Sequence, residues 1–155
     1  MLTLEQFLDQ YETGIYAPYK LTPDSQKVFL EALKRNNINF AVHPEEFHVT
    51  VVYSRRHVSA LHGYPFPNVK ATTTGIELFG PESDIKVVTL ESPELQSIVA
   101  SLKHLGVTSD YPEYKPHITI GGEPKPDERL DMPLELELEF HQVEPLKEDI
   151  TMMVV

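Results

Sequence analysis

The tripeptide His-x-Thr occurs twice in this chain, as His48-Val49-Thr50 and His117-Ile118-Thr119. Both copies lie in runs that favour a β-strand, Phe47-His48-Val49-Thr50-Val51-Val52-Tyr53 and Lys115-Pro116-His117-Ile118-Thr119-Ile120. Successive side chains of a strand point to opposite faces, so the His and Thr of each copy share one face while Val49 or Ile118 takes the other. Any fold of this chain must therefore display two imidazoles and two hydroxyls from rigid backbone, one set from each half. With seven histidines in the chain, roughly half a copy of such a tripeptide is expected by chance, so one copy would mean little. Two copies in equivalent β-contexts, each followed by an apolar residue, argue for a working pair. The competing reading makes both threonines ordinary β-branched strand residues and both histidines merely half-buried.

What surrounds the motifs repeats as well. Thr3 with Gln6 forms a capping-box pattern, and Leu2, Leu4, Phe7 and Leu8 give a helical stripe as far as Tyr11, ended by Gly14. Ile15 to Leu21 reads as a strand carrying Tyr16 and Tyr19. Thr22-Pro23 then starts a helix with Val28, Phe29, Ala32 and Leu33 at helical spacing, and Asn36-Asn37 stops it. The first motif strand follows, and residues 55–68 read as a loop. Val69 to Phe79 and Ile85 to Leu90 are strands joined around residues 80–84. Ser92-Pro93 opens a second helix with Leu95, Ile98, Val99 and Leu102, running to Leu105-Gly106, and the second motif strand comes after it. Leu134 to Phe140 alternates Leu and Glu, the pattern of a strand with one wet face. Ile150 to Val155 reads as a last strand. Strand, helix, motif strand thus occurs twice, the order of two related half-domains that each feed a His to a central groove. Thirteen prolines and the turns between strands favour an α+β fold over a parallel βαβ sheet.

At 155 residues, residues 1–155 fit a single domain with enough length to bury a core. No apolar stretch approaches a membrane span, and the first residues show neither a basic segment nor a long apolar run, so no membrane partner and no signal peptide are expected. The chain holds no Cys, which removes disulfide and thiolate chemistry and fits a cytoplasmic location. Asp and Glu number 24 against 13 Lys and Arg, for a net charge of −11. A protein gripping a long nucleic acid normally carries a basic field, so the charge argues against such a partner and for a small phosphate ligand.

Two histidines facing one groove suit phosphodiester cleavage: one takes a proton from the attacking oxygen and the other gives one to the leaving oxygen. Thr50 and Thr119 can donate to the non-bridging oxygens. Metal ligation competes for a His pair, but helical His-x-x-x-His and His-Glu-x-x-His spacings are absent and there is no Cys, so no metal and no cofactor are expected. His43, His57, His62, His104 and His141 read as surface or structural residues. Gly121-Gly122 reads as a turn that ends the second motif strand beside the groove. Ser54-Arg55-Arg56 either attracts phosphate at the groove mouth or is an ordinary solvated strand end.

Paired His-x-Thr motifs about 70 residues apart, each with an apolar residue after the Thr, resemble those of the 2H phosphoesterases. That resemblance implies a bilobal α+β fold, two antiparallel-sheet half-domains flanked by helices, with His48, Thr50, His117 and Thr119 lining a central cleft as the catalytic set. More narrowly, residues 11–17, Tyr-Glu-Thr-Gly-Ile-Tyr-Ala, with Leu21-Thr22 and the run from Phe47 to Arg55, look like the phage anti-CBASS nucleases, small 2H enzymes that destroy the cyclic nucleotide signals of a bacterial antiviral system. The narrower resemblance implies contact of Tyr16 and Glu144 with the nucleotide. It implies a monomeric, metal-independent phosphodiesterase opening 3′–5′ linkages of cyclic di- and trinucleotides in the host cytoplasm. A 2′,3′-cyclic phosphodiesterase acting on RNA ends and a non-catalytic cyclic-nucleotide sponge are the rival expectations.

Overall fold

The computed structural model describes residues 14–145, and the helix expected up to Tyr11 and the strand expected from Ile150 lie outside the described residues. The chain order is β1 (Ile15–Leu21), α1 (Pro23–Arg35), β2 (His48–Ser54), β3 (Val69–Phe79), β4 (Ile85–Glu91), α2 (Pro93–His104), β5 (His117–Thr119), β6 (Glu135–Phe140) and β7 (Glu144–Pro145). Short 3₁₀ turns stand at Pro44–Glu46 and Ser59–Gly63, the second inside the segment expected to be a loop. The helix starts follow from their caps. Thr22 and Ser92 stand in extended backbone, accept hydrogen bonds from the backbone N–H of Ser25 and Leu95, and are each followed by Pro at the first turn. Asn36 caps the end of α1, and Asn37 takes the left-handed conformation at φ 56°.

The described strands form one antiparallel sheet in the order β2-β1-β6-β3-β4-β5, with β7 also pairing β1. The two halves are therefore hydrogen-bonded into a continuous sheet, and β6 is the bridge. Leu138–Phe140 pair with Tyr19–Leu21 of β1, while Glu135–Leu138 pair with Val69–Thr72 of β3. The Leu-Glu alternation of β6 separates the two faces: Leu134, Leu136 and Leu138 are buried, and Glu135 and Glu137 are exposed. On the buried face, Ala17, Tyr19, Val49, Val69, Ala71, Val88, Ile118, Leu136 and Leu138 meet Phe29, Ala32 and Leu33 of α1 and Leu95, Ile98 and Leu102 of α2. Fully burying each large member contributes about 1.5–3 kcal/mol. Residues 64–67 close over the same face through stacked and edge-on contacts among Tyr19, Tyr64, Phe66 and Phe140, and Tyr19 Oη donates to the Pro67 carbonyl at 2.7 Å.

One charged group breaks the apolar pattern. The Lys86 side chain is 1% exposed, and its Nζ donates to both carboxylate oxygens of Glu128 (2.9 and 3.1 Å) and to the Glu123 carbonyl (3.0 Å). Its backbone carbonyl accepts from the N–H of Ile120 and Gly121. A single residue of β4 thus anchors both ends of the segment that leaves the second motif strand. Burial alone would raise the Glu128 carboxyl, but hydrogen bonds from Lys86 and the Lys125 N–H, with the Lys86 charge, hold it below its ordinary value. Lys86→Met is expected to cost about 3–5 kcal/mol in denaturant unfolding at pH 7, because it leaves a buried carboxylate unpaired, and Lys86→Met with Glu128→Leu should recover most of that. A depressed carboxylate stabilises above its unfolded pKa and ceases to as pH falls through its folded one. The deficit of Lys86→Met against wild type should therefore narrow below about pH 4.5.

Candidate active site

β2 and β5 occupy opposite ends of the sheet order, yet the sheet curls until they meet. Hydrogen bonds fasten this seam at both ends. Tyr114, just ahead of β5, donates its hydroxyl to the Thr50 carbonyl at 2.8 Å. Beyond β5, the Ile120 carbonyl accepts from the N–H groups of Ala41 and Val42 at 2.9 and 3.0 Å. The chain leaves the seam through Gly121 and Gly122, both left-handed at φ 67° and 86°, and a Cβ on Gly122 would collide with Asn39. The glycine pair is thus a turn at the end of the strand, as its sequence suggested.

The two motifs have the same local geometry. In each, the outer residues are half-buried and the middle one, Val49 or Ile118, is fully buried. His48 Nδ1 lies 2.8 Å from the Glu46 carbonyl and His117 Nδ1 lies 2.7 Å from the Lys115 carbonyl. A carbonyl can only accept, so Nδ1 carries the hydrogen in both rings and Nε2 is left to exchange a proton. Rings edge-on to each histidine restrict its tilt, Tyr16 at 6.0 Å for His48 and Phe79 at 4.7 Å for His117. Burial lowers the His117 pKa, the Lys115 carbonyl opposes that, and the charge of His48 lowers it further, with a net downward shift from 6.5. Thr119 shares the face of His117, across from Val87.

Tyr16 and Glu144, 128 residues apart, are brought together as direct cross-strand partners between β1 and β7. Thr50 Oγ1 donates to Tyr16 Oη at 3.5 Å. Burial raises the Tyr16 phenol, the Thr50 hydrogen bond opposes this, and the Glu144 charge adds to the rise, so Tyr16 stays neutral. Tyr53 is a neighbour that the motif pattern conceals. By strict alternation from His48 and Thr50 it belongs on the opposite face. A bulge intervenes: Ala17 pairs with Val52 and Pro18 with Thr50, leaving Val51 without an opposite residue, and Tyr53 emerges facing Tyr16. Its hydroxyl is buried and has no hydrogen-bond partner among the described residues. The signal available in sequence was Pro18, which cannot supply a strand N–H.

Other candidates resolve differently. Arg55 is exposed and forms a two-pronged pair with Asp110, as the solvated strand-end reading expects. His43 caps a 3₁₀ turn by accepting from the Glu45 N–H, His141 sits 3.5 Å from Glu139, and His57 and His62 lie ring against ring. Among the described residues no three His, Asp or Glu side chains converge as a metal cluster would require. Nor, among them, is any helix long and apolar enough to cross a membrane.

Residues 13–153 match the family described as Anti-CBASS protein Acb1. The Anti-CBASS protein Acb1 of Vibrio phage KVP40 (isolate Vibrio parahaemolyticus/Japan/Matsuzaki/1991) is 28% identical over 123 residues, spanning 77% of this chain and 78% of the phage protein. Among solved structures, a phosphoesterase superposes with a TM-score of 0.56 at 11% identity, covering 88% of this chain and 99% of its own. LigT of E. coli, solved with 3′-AMP, gives 0.54 at 13% identity, with 88% and 96% covered. At these identities the structural likeness is one of fold, and the fold is that expected from the paired motifs.

Two hydroxyls at the site should behave in opposite ways. Tyr114→Phe removes the donor to a strand carbonyl and should cost about 1–3 kcal/mol of stability. Tyr53→Phe removes a hydroxyl that has no partner among the described residues and should leave the unfolding midpoint unchanged or higher. Denaturant titrations of the two variants side by side measure both.

Proposed function

The chain belongs to the Acb1 family, and from that premise we propose that it is a phosphodiesterase that opens 3′–5′ linkages of cyclic di- and trinucleotides, disarming the host signal in the anti-CBASS role for which the family is named. The single observation that carries the chemistry is the matched pair of imidazoles on the two seam strands, each with Nδ1–H held by a backbone carbonyl two residues earlier and Nε2 left to act.

We assign His117 as the base, because its lowered pKa keeps Nε2 unprotonated to lower pH. In this reading Nε2 of His117 takes the proton of a ribose 2′-hydroxyl, and O2′ attacks the adjacent phosphorus. The P–O5′ bond breaks and O5′ receives the proton of Nε2 of His48. Thr50 and Thr119 donate to the non-bridging oxygens, and the long bond from Thr50 to Tyr16 is readily given up for a charged acceptor. Tyr16 offers a flat ring on which a base can stack, and exposed Glu144 offers an acceptor for an exocyclic amine.

Incubating the protein with 3′,3′-cyclic GMP-AMP and with an RNA ending in a 2′,3′-cyclic phosphate, then separating products by chromatography, tests the reading. Cleavage of the cyclic dinucleotide supports it; cleavage of the RNA end alone makes the protein an RNA-end enzyme, and binding without turnover makes it a sponge. His48→Ala and His117→Ala should each lower kcat by about two to four orders of magnitude with binding retained, and the double variant should be little worse than either. Activity should survive EDTA, and the acid limb of kcat/KM should fall below pH 6.5, since the base is the histidine shifted down from that value. An acid limb above that value contradicts the assignment of His117 as the base.

Base recognition yields its own expectation. Tyr16→Ala should weaken binding by about 1–3 kcal/mol, the scale of a lost stack. Glu144→Ala should penalise cyclic GMP-AMP more than cyclic di-uridylate, which lacks a base amine, and equal losses on both would return Glu144 to the solvent surface.

A further inference from the structure

The motif-bearing face of the sheet is acidic: Glu135, Glu137 and Glu139 of β6 and Glu144 of β7 share it. An anionic substrate approaching this face, on a chain of net charge −11, is repelled unless a cation stands at the phosphate. Register places two lysines of the central strands on that face. Lys70 lies opposite Glu137 and ion-pairs with Glu135 at 3.5 Å. Lys20 lies opposite His48 on one side and Glu139 on the other. It is half-buried, and its one polar contact among the described residues is a 3.4 Å bond to the Glu45 carbonyl. Charged donors normally hold their acceptors at about 2.7–2.9 Å, so this bond is a weak tether and leaves the other ammonium hydrogens unused. Directly opposed residues of an antiparallel pair have Cβ atoms about 4.5–5.5 Å apart, a separation a lysine side chain easily spans.

Resting on the phosphodiesterase reading, we propose that Lys20 is a phosphate-binding residue of this site. Its ammonium leaves the Glu45 carbonyl and binds a non-bridging oxygen of the scissile phosphate held at His48, opposing the negative charge carried by the non-bridging oxygens during attack. Lys20 would be the site's main cation, Thr50 and Thr119 its neutral donors. The arrangement also explains how an acidic protein can accept a small anion while repelling a long one: the positive charge is local.

Steady-state kinetics on 3′,3′-cyclic GMP-AMP with wild type, Lys20→Met and Lys20→Arg, each at low and high salt and alongside thermal melts, tests the proposal. Lys20→Met should lose 10- to 100-fold in kcat/KM with an unchanged melting temperature. Its activity should depend less on salt than that of wild type, and Lys20→Arg should recover a large part of the loss. A Lys20→Met variant as active as wild type overturns the proposal while leaving the reaction standing. So does one whose activity falls together with its melting temperature and keeps the wild-type salt dependence, since the lysine would then merely brace the turn at Glu45. Absence of turnover in wild type overturns the reaction itself, and the proposal with it.

Discussion

The seam between β2 and β5 is the constraint on which the rest of this molecule depends. The two strands come from different halves of the chain and share no place in the sheet order, so no ladder fixes their separation. Instead, the Tyr114 hydroxyl on the Thr50 carbonyl and the paired N–H groups of Ala41 and Val42 on the Ile120 carbonyl hold it. Each bond joins the flank of one motif to the other half of the protein. General acid–base catalysis by two groups on one phosphate needs both within hydrogen-bond reach at once, and small shifts of either are costly. Rigid strands, buried central residues and seam bonds fix the backbone from which both histidines project.

Support for the seam spreads outward through ordinary core physics. β6 joins the two half-sheets and buries its leucines beneath the helices, while its glutamates face the side that carries the motifs. Lys86 grips the segment that leaves β5, so the position of Thr119 is tied to a buried ion pair as well as to the strand ladder. A pair of this kind is weak evidence for stability but strong evidence for a defined position, since a displaced Lys86 would leave charge uncompensated in the core.

Much of this was legible in the residues. Cap-plus-Pro starts at Thr22 and Ser92, the stop at Asn36-Asn37 and the alternation of β6 each act over a few residues, and they gave the elements nearly to the residue. The shared face of His48 and Thr50 followed from strand geometry alone. What escaped depends on register between distant segments. The bulge that turns Tyr53 toward Tyr16 exists because β1 and β2 pair out of step at Pro18, and no periodicity within β2 reveals it. The strut from Tyr114, the anchoring by Lys86 and the proximity of Lys20 to His48 are tertiary in the same sense. Joining of the half-sheets through β6 also needed the pairing pattern, because a Leu-Glu strand advertises a wet face without saying which neighbours it has.

The central claim is that both histidines act on one phosphate. A crystal structure of the protein with a cyclic dinucleotide whose linkages are non-hydrolysable phosphorothioates tests it most directly. The account predicts a single phosphorothioate at the seam, with Nε2 of His48 and Nε2 of His117 each within about 2.6–3.2 Å of an oxygen on opposite sides of it. Histidines that contact different phosphates, or a ligand bound away from the seam, would contradict the account.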